Sequence, residues 1–269
     1  MTSAPVKGLA ASLFLASFAT LPSLAHAQLS GNIALTSNYK FRGQDQDMRG
    51  GQGFAKTGAL KPAVQGGFDY VFGDSGFYVG NWNSSVNWLP GNSIETDIYG
   101  GYRFKAGAED LDFGALTYLY PGNNRGNTTE LYGAATHTDA VLGALTLKYS
   151  HTVSKDYFNY AGSKDGSGLD GRNTGYLNLA YAKEIAPRFT LKAALGYTRM
   201  SADIRSLGVR SYADYNAGVS YDFGNGLSLA GSLQGANQKN SYRVASGPAT
   251  GPDYSPNQAR FILTLAKAL

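Results

Sequence analysis

The sequence contains no cysteine, so disulfides, thiol nucleophiles and thiolate metal sites are all excluded. Histidine is almost as scarce, at three residues, and only 16% of the 269 residues are charged. The formal net charge of +4 is small and scattered, which argues against a nucleic-acid partner. Beyond residue 27 no apolar run approaches the ~20 residues that a membrane-spanning helix requires. That absence does not exclude a membrane. A barrel strand needs only ~9–11 residues and shows lipid every second one, so its average hydropathy stays modest.

The one long apolar stretch lies at the start. Lys7 and the N-terminus give a positive lead, Leu9 to Leu21 an apolar centre, and Ala25-His26-Ala27 a small-x-small cleavage pattern. Residues 1–27 are therefore expected to be a signal peptide, with 28–269 forming one domain and the charge falling to +3 once Lys7 is lost.

What the chain has in excess is glycine and aromatics: 35 Gly, 19 Tyr and 13 Phe. Glycine stands near twice its ordinary ~7% share, a profile of strands and turns. The recurring period is two rather than 3.6. Ile33, Leu35, Tyr39 and Phe41 alternate with Asn32, Asn38, Lys40 and Arg42. Ile94, Ile98, Tyr102 and Phe104 alternate with Glu95, Asp97, Arg103 and Lys105, and Tyr215, Val219, Tyr221 and Phe223 with Asp214, Asn216, Ser220 and Asp222.

This pattern predicts twelve strands, near 30–42, 61–72, 77–88, 94–105, 111–120, 128–138, 141–154, 174–185, 188–200, 211–223, 227–237 and 257–268. The fifth is the least regular, because Leu116 and Tyr118 occupy its polar parity. Joints after even-numbered strands are tight, whereas those after the first, seventh and eleventh (43–60, 155–173 and 238–256) are long and rich in Gly, Ser, Asp and Asn. Bacterial outer-membrane barrels have short periplasmic turns and longer external loops, and an even strand count closes them without exposed edges. The fold expected is all-β: a transmembrane, antiparallel, up-and-down barrel of about twelve strands. The chain ends in Leu269 rather than the aromatic residue that barrel-assembly machinery usually reads.

Residues 35–44 (LTSNYKFRGQ) resemble the opening motif of the TorF-family porins, and Pro62–Tyr70, Ser75–Trp82 and Glu95–Tyr102 are similar to the motifs that follow. The similarity is specific over the first third of the chain and architectural beyond it. It implies a barrel in the outer membrane of a Gram-negative bacterium, with no established substrate and no catalytic residues to transfer.

Little in the sequence points to catalysis. His137 and His151 fall on consecutive strands; with a tight turn at Asp139-Ala140, His137 should lie opposite about Leu142 and some ~30 Å from His151. Ser154 near His151 is the only hint of a hydrolytic dyad. Asp165 to Gly171 resembles a calcium-loop fragment but lacks the alternating carboxylates and closing glutamate, and reads as a flexible external loop. No cofactor is implied.

The polar parity carries Lys40, Arg42, Arg103, Lys105, Lys148, Lys192 and Arg260 against Asp69, Glu95, Asp97, Asp112, Glu130, Glu184, Asp214 and Asp222. Such charges must point inward, since lipid exposure costs ~2–4 kcal/mol at the midplane for Arg or Lys. Lys40, Arg42, Asp69, Glu95, Asp97 and Arg103 are the expected pore lining. Lys40 and Arg42, at the outer end of the first strand, should face Glu95 and Asp97 across a charged constriction. The function expected is a narrow passive channel for small hydrophilic solutes, embedded in outer-membrane lipid. The alternatives are a non-conducting structural or adhesive barrel displaying its loops, and a membrane-interface hydrolase.

Overall fold

A computed structural model of the chain describes residues 28–47, 61–243 and 255–269. The expected signal peptide lies outside the described residues. The strands are β1 (Gln28–Thr36), β2 (Lys40–Phe41), β3 (Gln44–Asp45), β4 (Ala63–Val71), β5 (Phe77–Ser85), β6 (Ile94–Ala106) and β7 (Glu109–Leu119). They continue as β8 (Thr128–Asp139), β9 (Gly143–Thr152), β10 (Gly175–Ala186), β11 (Phe189–Arg199), β12 (Tyr212–Gly224), β13 (Leu227–Ala236) and β14 (Arg260–Ala268). A short helix, α1 (Ala202–Ser206), sits between β11 and β12.

β1 and β4 to β14 close into a single twelve-stranded barrel in which each strand pairs antiparallel with its sequence neighbours and β1 pairs with both β4 and β14. Closure leaves no strand edge unpaired, as an apolar surrounding demands. Short and long connections alternate in the expected phase, so one end of the barrel carries only short turns and the other carries the loops.

Alternation decides which side chains meet the surroundings. Phe68, Leu195 and Phe261 point outward and are more than half exposed, as part of a broad apolar belt around the wall. Soluble monomers rarely leave contiguous apolar surface of this kind uncovered. Near the short turns the belt becomes aromatic, with Tyr70–Phe72, Phe77–Tyr102 and Phe189–Tyr221 ring contacts at 4.9, 4.8 and 4.7 Å.

The glycine and tyrosine enrichment has a steric origin. Inward-facing rings lie flat across glycines on the next strand. A Cβ on Gly101 would meet the Tyr78 hydroxyl at 2.6 Å, one on Gly114 the Tyr132 hydroxyl at 2.5 Å, and one on Gly80 the Tyr99 ring at 2.6 Å. Each bare backbone gives a large inward ring somewhere to lie.

Three expectations need correction. The first strand ends at Thr36 rather than Arg42: Thr36 pairs with Ala63, where β4 begins, and with Thr264, whereas β14 runs on to Arg260 beside β13 alone. The β8–β9 turn is longer than expected, since the Asp139 carboxylate accepts the Val141 and Leu142 N–H groups at 2.8 and 2.7 Å. His137 therefore pairs with Leu145 and His151 with Leu131, which reduces the separation of the two histidines to ~20 Å. The segment at 165–171 is hydrogen-bonded rather than loose: Ser167 Oγ donates to Ala161 O at 2.7 Å and Gly171 N to Lys155 O at 2.7 Å.

Candidate functional site

Beyond Thr36 the chain leaves the wall and turns into the barrel. Ser37 makes the corner, its N–H donating to Leu263 O at 2.8 Å and its Oγ accepting from Leu263 N at 2.9 Å. β2 and β3 then form a hairpin within the lumen, with Phe41 opposite Gln44 and Lys40 opposite Asp45. Its two-residue turn is Arg42-Gly43, at φ 46° and 76°. Two successive positive φ values match the twist of a tight hairpin. Glycine is required at the second position for another reason as well: a Cβ there would stand 2.6 Å from Gly235 O and 2.7 Å from the Asp214 Cβ on the wall.

One ion pair joins the two strands of this hairpin and two more fix it to the wall. Lys40 Nζ lies 2.9 Å from Asp45 Oδ1 and donates to Pro256 O at 2.7 Å, while Arg260 Nε on β14 reaches Asp45 Oδ2 at 3.0 Å. Arg42 crosses to β8, where Nη1 and Nη2 donate to Glu130 Oε1 and Oε2 at 2.9 and 2.6 Å. The same guanidinium stacks 4.1 Å over the Tyr176 ring and donates to the Tyr157 hydroxyl at 3.1 Å. Desolvation of two charges is costly, and a two-pronged bond in a dry site is the geometry that offsets it.

Aromatic rings fill the space around these charges. Phe158 is the hub, with ring centroids 5.3 Å from Phe41, 4.9 Å from Tyr118 and 4.7 Å from Tyr157. It reaches that position from the loop after β9 by adopting φ 47°, and Asn159 follows at 62°. A non-glycine residue in this region carries strain of ~1–3 kcal/mol, which ring packing offsets. The loop is shaped by Asp156, whose carboxylate accepts the N–H groups of Tyr157 at 2.8 Å, Ala161 at 3.2 Å and Ser163 at 2.8 Å. Tyr160 donates to Gln44 Oε1 at 3.0 Å, joining loop to hairpin; burial pushes its hydroxyl pKa up, so it remains a donor.

Glu95 on β6 accepts from Tyr39 at 2.7 Å and also from Tyr120. Asp97, two residues along, is buried, and its Oδ1 meets no donor among the described residues. Toward the short turns the lumen carries a second network. Arg103 Nε lies 3.2 Å from Asp112 Oδ2, Tyr78 donates to Asp112 Oδ1 at 2.6 Å and contacts the Tyr132 hydroxyl, and Tyr99 donates to Asp69 Oδ1 at 2.7 Å. Nearest those turns, the inward residues Lys105, Glu184 and Asp222 are exposed.

All six residues expected to line a pore thus lie in or face the lumen, but they are not assembled as the sequence suggested. Lys40 and Arg42 belong to the inserted hairpin, and their partners are Asp45 and Glu130 rather than Glu95 and Asp97. Asp69 and Arg103 sit in the separate network nearer the short turns. Reading the sequence missed Asp45, Tyr157 and Phe158 as parts of the site. One signal was available: Leu116 and Tyr118, out of place on the polar parity of β7, point inward against this packed cluster. The suspected dyad is not assembled, since Ser154 Oγ accepts from Thr129 N at 2.9 Å and donates to Asp156 O at 2.8 Å, while His151 Nδ1 lies 3.3 Å from the Tyr149 hydroxyl.

A closed twelve-stranded antiparallel barrel with an apolar outer belt and a charged lumen is a porin-like barrel. The chain itself belongs to a bacterial family of unknown function, Gcw_chp, whose sequence profile matches residues 22–267. No curated protein matches the sequence. Among solved structures the chain is similar to the KdgM porin, at 10% identity and a TM-score of 0.54 over 88% of this chain and 98% of that one. The NanC porin, in its rhombohedral crystal form, gives 11% identity and a TM-score of 0.54 over 90% and 98%. The KdgM porin in complex with disordered oligogalacturonate gives 10% and 0.52 over 89% and 97%. At such identities the likeness is one of fold. It supports a porin-like barrel and does not single out the TorF family.

Proposed function

We propose that the chain is an outer-membrane porin of a Gram-negative bacterium, exported by cleavage after residue 27 and inserted by the barrel-assembly machinery. It acts as a narrow passive channel for small hydrophilic solutes. The observation that carries this reading is the pairing of a broad apolar belt with a lumen of nearly balanced charge. Arg103, Lys148, Lys192 and Arg260 face inward against Asp69, Asp112, Glu130 and Asp214. The KdgM porin is described with a polyanionic sugar. Balanced signs suit small neutral or zwitterionic solutes better than a polyanion. In this reading Lys40, Arg42, Glu95 and Asp97 line the passage at the loop end, and Asp69 and Arg103 line it nearer the short turns.

One observation favours a second reading, that of a non-conducting structural barrel: the hairpin and Phe158 pack the loop end of the lumen with buried side chains. Single-channel recording in planar bilayers separates the two. The channel reading expects small, discrete conductance steps from the intact protein. A silent membrane with both the intact protein and a variant lacking the hairpin contacts would leave the structural barrel as the answer.

A further inference from the structure

The outward face of the barrel is not uniform. Between their ends, β11 to β14 and β1 present to the outside only aliphatic residues, glycine and aromatic rings. β5 differs, because alternation turns Asn81, Asn83 and Ser85 outward, opposite the inward Tyr78, Trp82 and Ser84. These amides stand within the apolar belt rather than at its rim. Asn81 lies between Phe68 and Ile98 on the adjoining strands, which are 55% and 54% exposed. Ser85, nearer the loops, is flanked by Val64 and Ile94, which are 57% and 42% exposed. Asn83 is sandwiched between those two levels, beside Gly66 and Thr96.

Each amide is half used. Asn81 Oδ1 accepts from Phe68 N at 3.1 Å, and Asn83 Nδ2 donates to Gly66 O at 3.3 Å. The Asn81 Nδ2 donor and the Asn83 Oδ1 acceptor are left pointing outward, and no described residue takes them. Hydrocarbon offers no partner, so such groups are costly when they face lipid. A donor and an acceptor two residues apart on one strand are complementary to themselves under a two-fold rotation. Asn81 of one copy then meets Asn83 of the other, twice. Gly66 and Gly100, without side chains, flank the amides and allow close approach, while Thr96 adds a hydroxyl.

We propose that the β4–β6 face is an interface on which a second copy of this chain docks, with Asn81 and Asn83 pairing reciprocally across a two-fold axis within the bilayer. This rests on the membrane placement proposed above. The natural absence of cysteine makes the test direct. Thr96→Cys places a single thiol in the interface, and Leu195→Cys places one on the aliphatic wall five strands away. In proteoliposomes at low protein density, a short bis-maleimide should convert the Thr96→Cys protein to a covalent dimer and leave the Leu195→Cys protein monomeric. The intact protein in mild detergent should have the mass of two copies, and Asn81→Val with Asn83→Val that of one. Equal cross-linking at both positions, or a mass of one or three copies for the intact protein, overturns the proposal. A heat-dependent gel shift reports barrel formation separately, so failure of the membrane reading is distinguishable from failure of the interface. If the double valine variant does not fold, the two cysteine variants still decide the matter.

Discussion

Arg42 and Glu130 stand 88 positions apart in sequence, yet they share two parallel hydrogen bonds at 2.9 and 2.6 Å inside the barrel. The pair ties the tip of an inserted hairpin to the far wall. Both side chains are almost completely enclosed, with exposures of 6% and 2%. Removing one partner strands the other charge in a dry site.

Arg42→Ala is therefore expected to destabilise the loop end by about 3–5 kcal/mol, the usual cost of breaking a buried pair. Denaturant unfolding in detergent should show a lowered midpoint. Removing both charges in Arg42→Ala with Glu130→Gln should recover part of the loss, as coupled sites do. Purely additive effects would mean that the two groups do not interact in the bilayer.

Charge reversal tests the channel itself. Arg42→Glu should shift ion selectivity towards cations, because Glu95, Asp97 and Glu130 lie on the lumen side of the wall beside it. Tyr221→Leu, on the outward parity of β12, should leave selectivity unchanged. A change in folding yield without a change in selectivity would favour the structural barrel.

Gly43 offers a way to move the hairpin without touching a charge. Any side chain there collides with the Gly235 carbonyl and the Asp214 Cβ, and the φ of 76° disfavours one independently. Gly43→Val should push the hairpin off the wall and raise single-channel conductance while the barrel still forms. Unchanged conductance in a folded variant would show that the hairpin does not limit passage.

Topology follows from the two ends of the barrel. Lys164 lies in the loop between β9 and β10, and Asp74 in the turn between β4 and β5 at the opposite end. An epitope at Lys164 should be labelled on intact cells and one at Asp74 only after permeabilisation. Equal labelling of both would falsify the orientation.

The closed barrel should also survive dodecyl sulfate without heating. Unboiled protein is expected to migrate differently from boiled protein and to give a β-rich spectrum. Recovery as a soluble monomer in the absence of detergent would rule out the membrane assignment.

The sequence alone determined the wall. Period-two alternation is a local property, and a one-residue slip would turn every apolar side chain inward, so strands such as β6 and β12 could be read from their own residues. The number of barrel strands and the phase of long and short joints were legible for the same reason. The lumen was not. Residues 37–42 keep the period of a strand, but whether they pair depends on neighbours: β4 begins only at Ala63, and β14 beyond Thr264 stays paired with β13 alone. Arg42 found its partner on β8 and Asp45 found Arg260 on β14, across distances in sequence that no local pattern encodes. The inward Tyr118 marked the place without saying what would pack there. Local alternation sets which way a side chain faces; only closure of the barrel brings facing side chains within reach of one another.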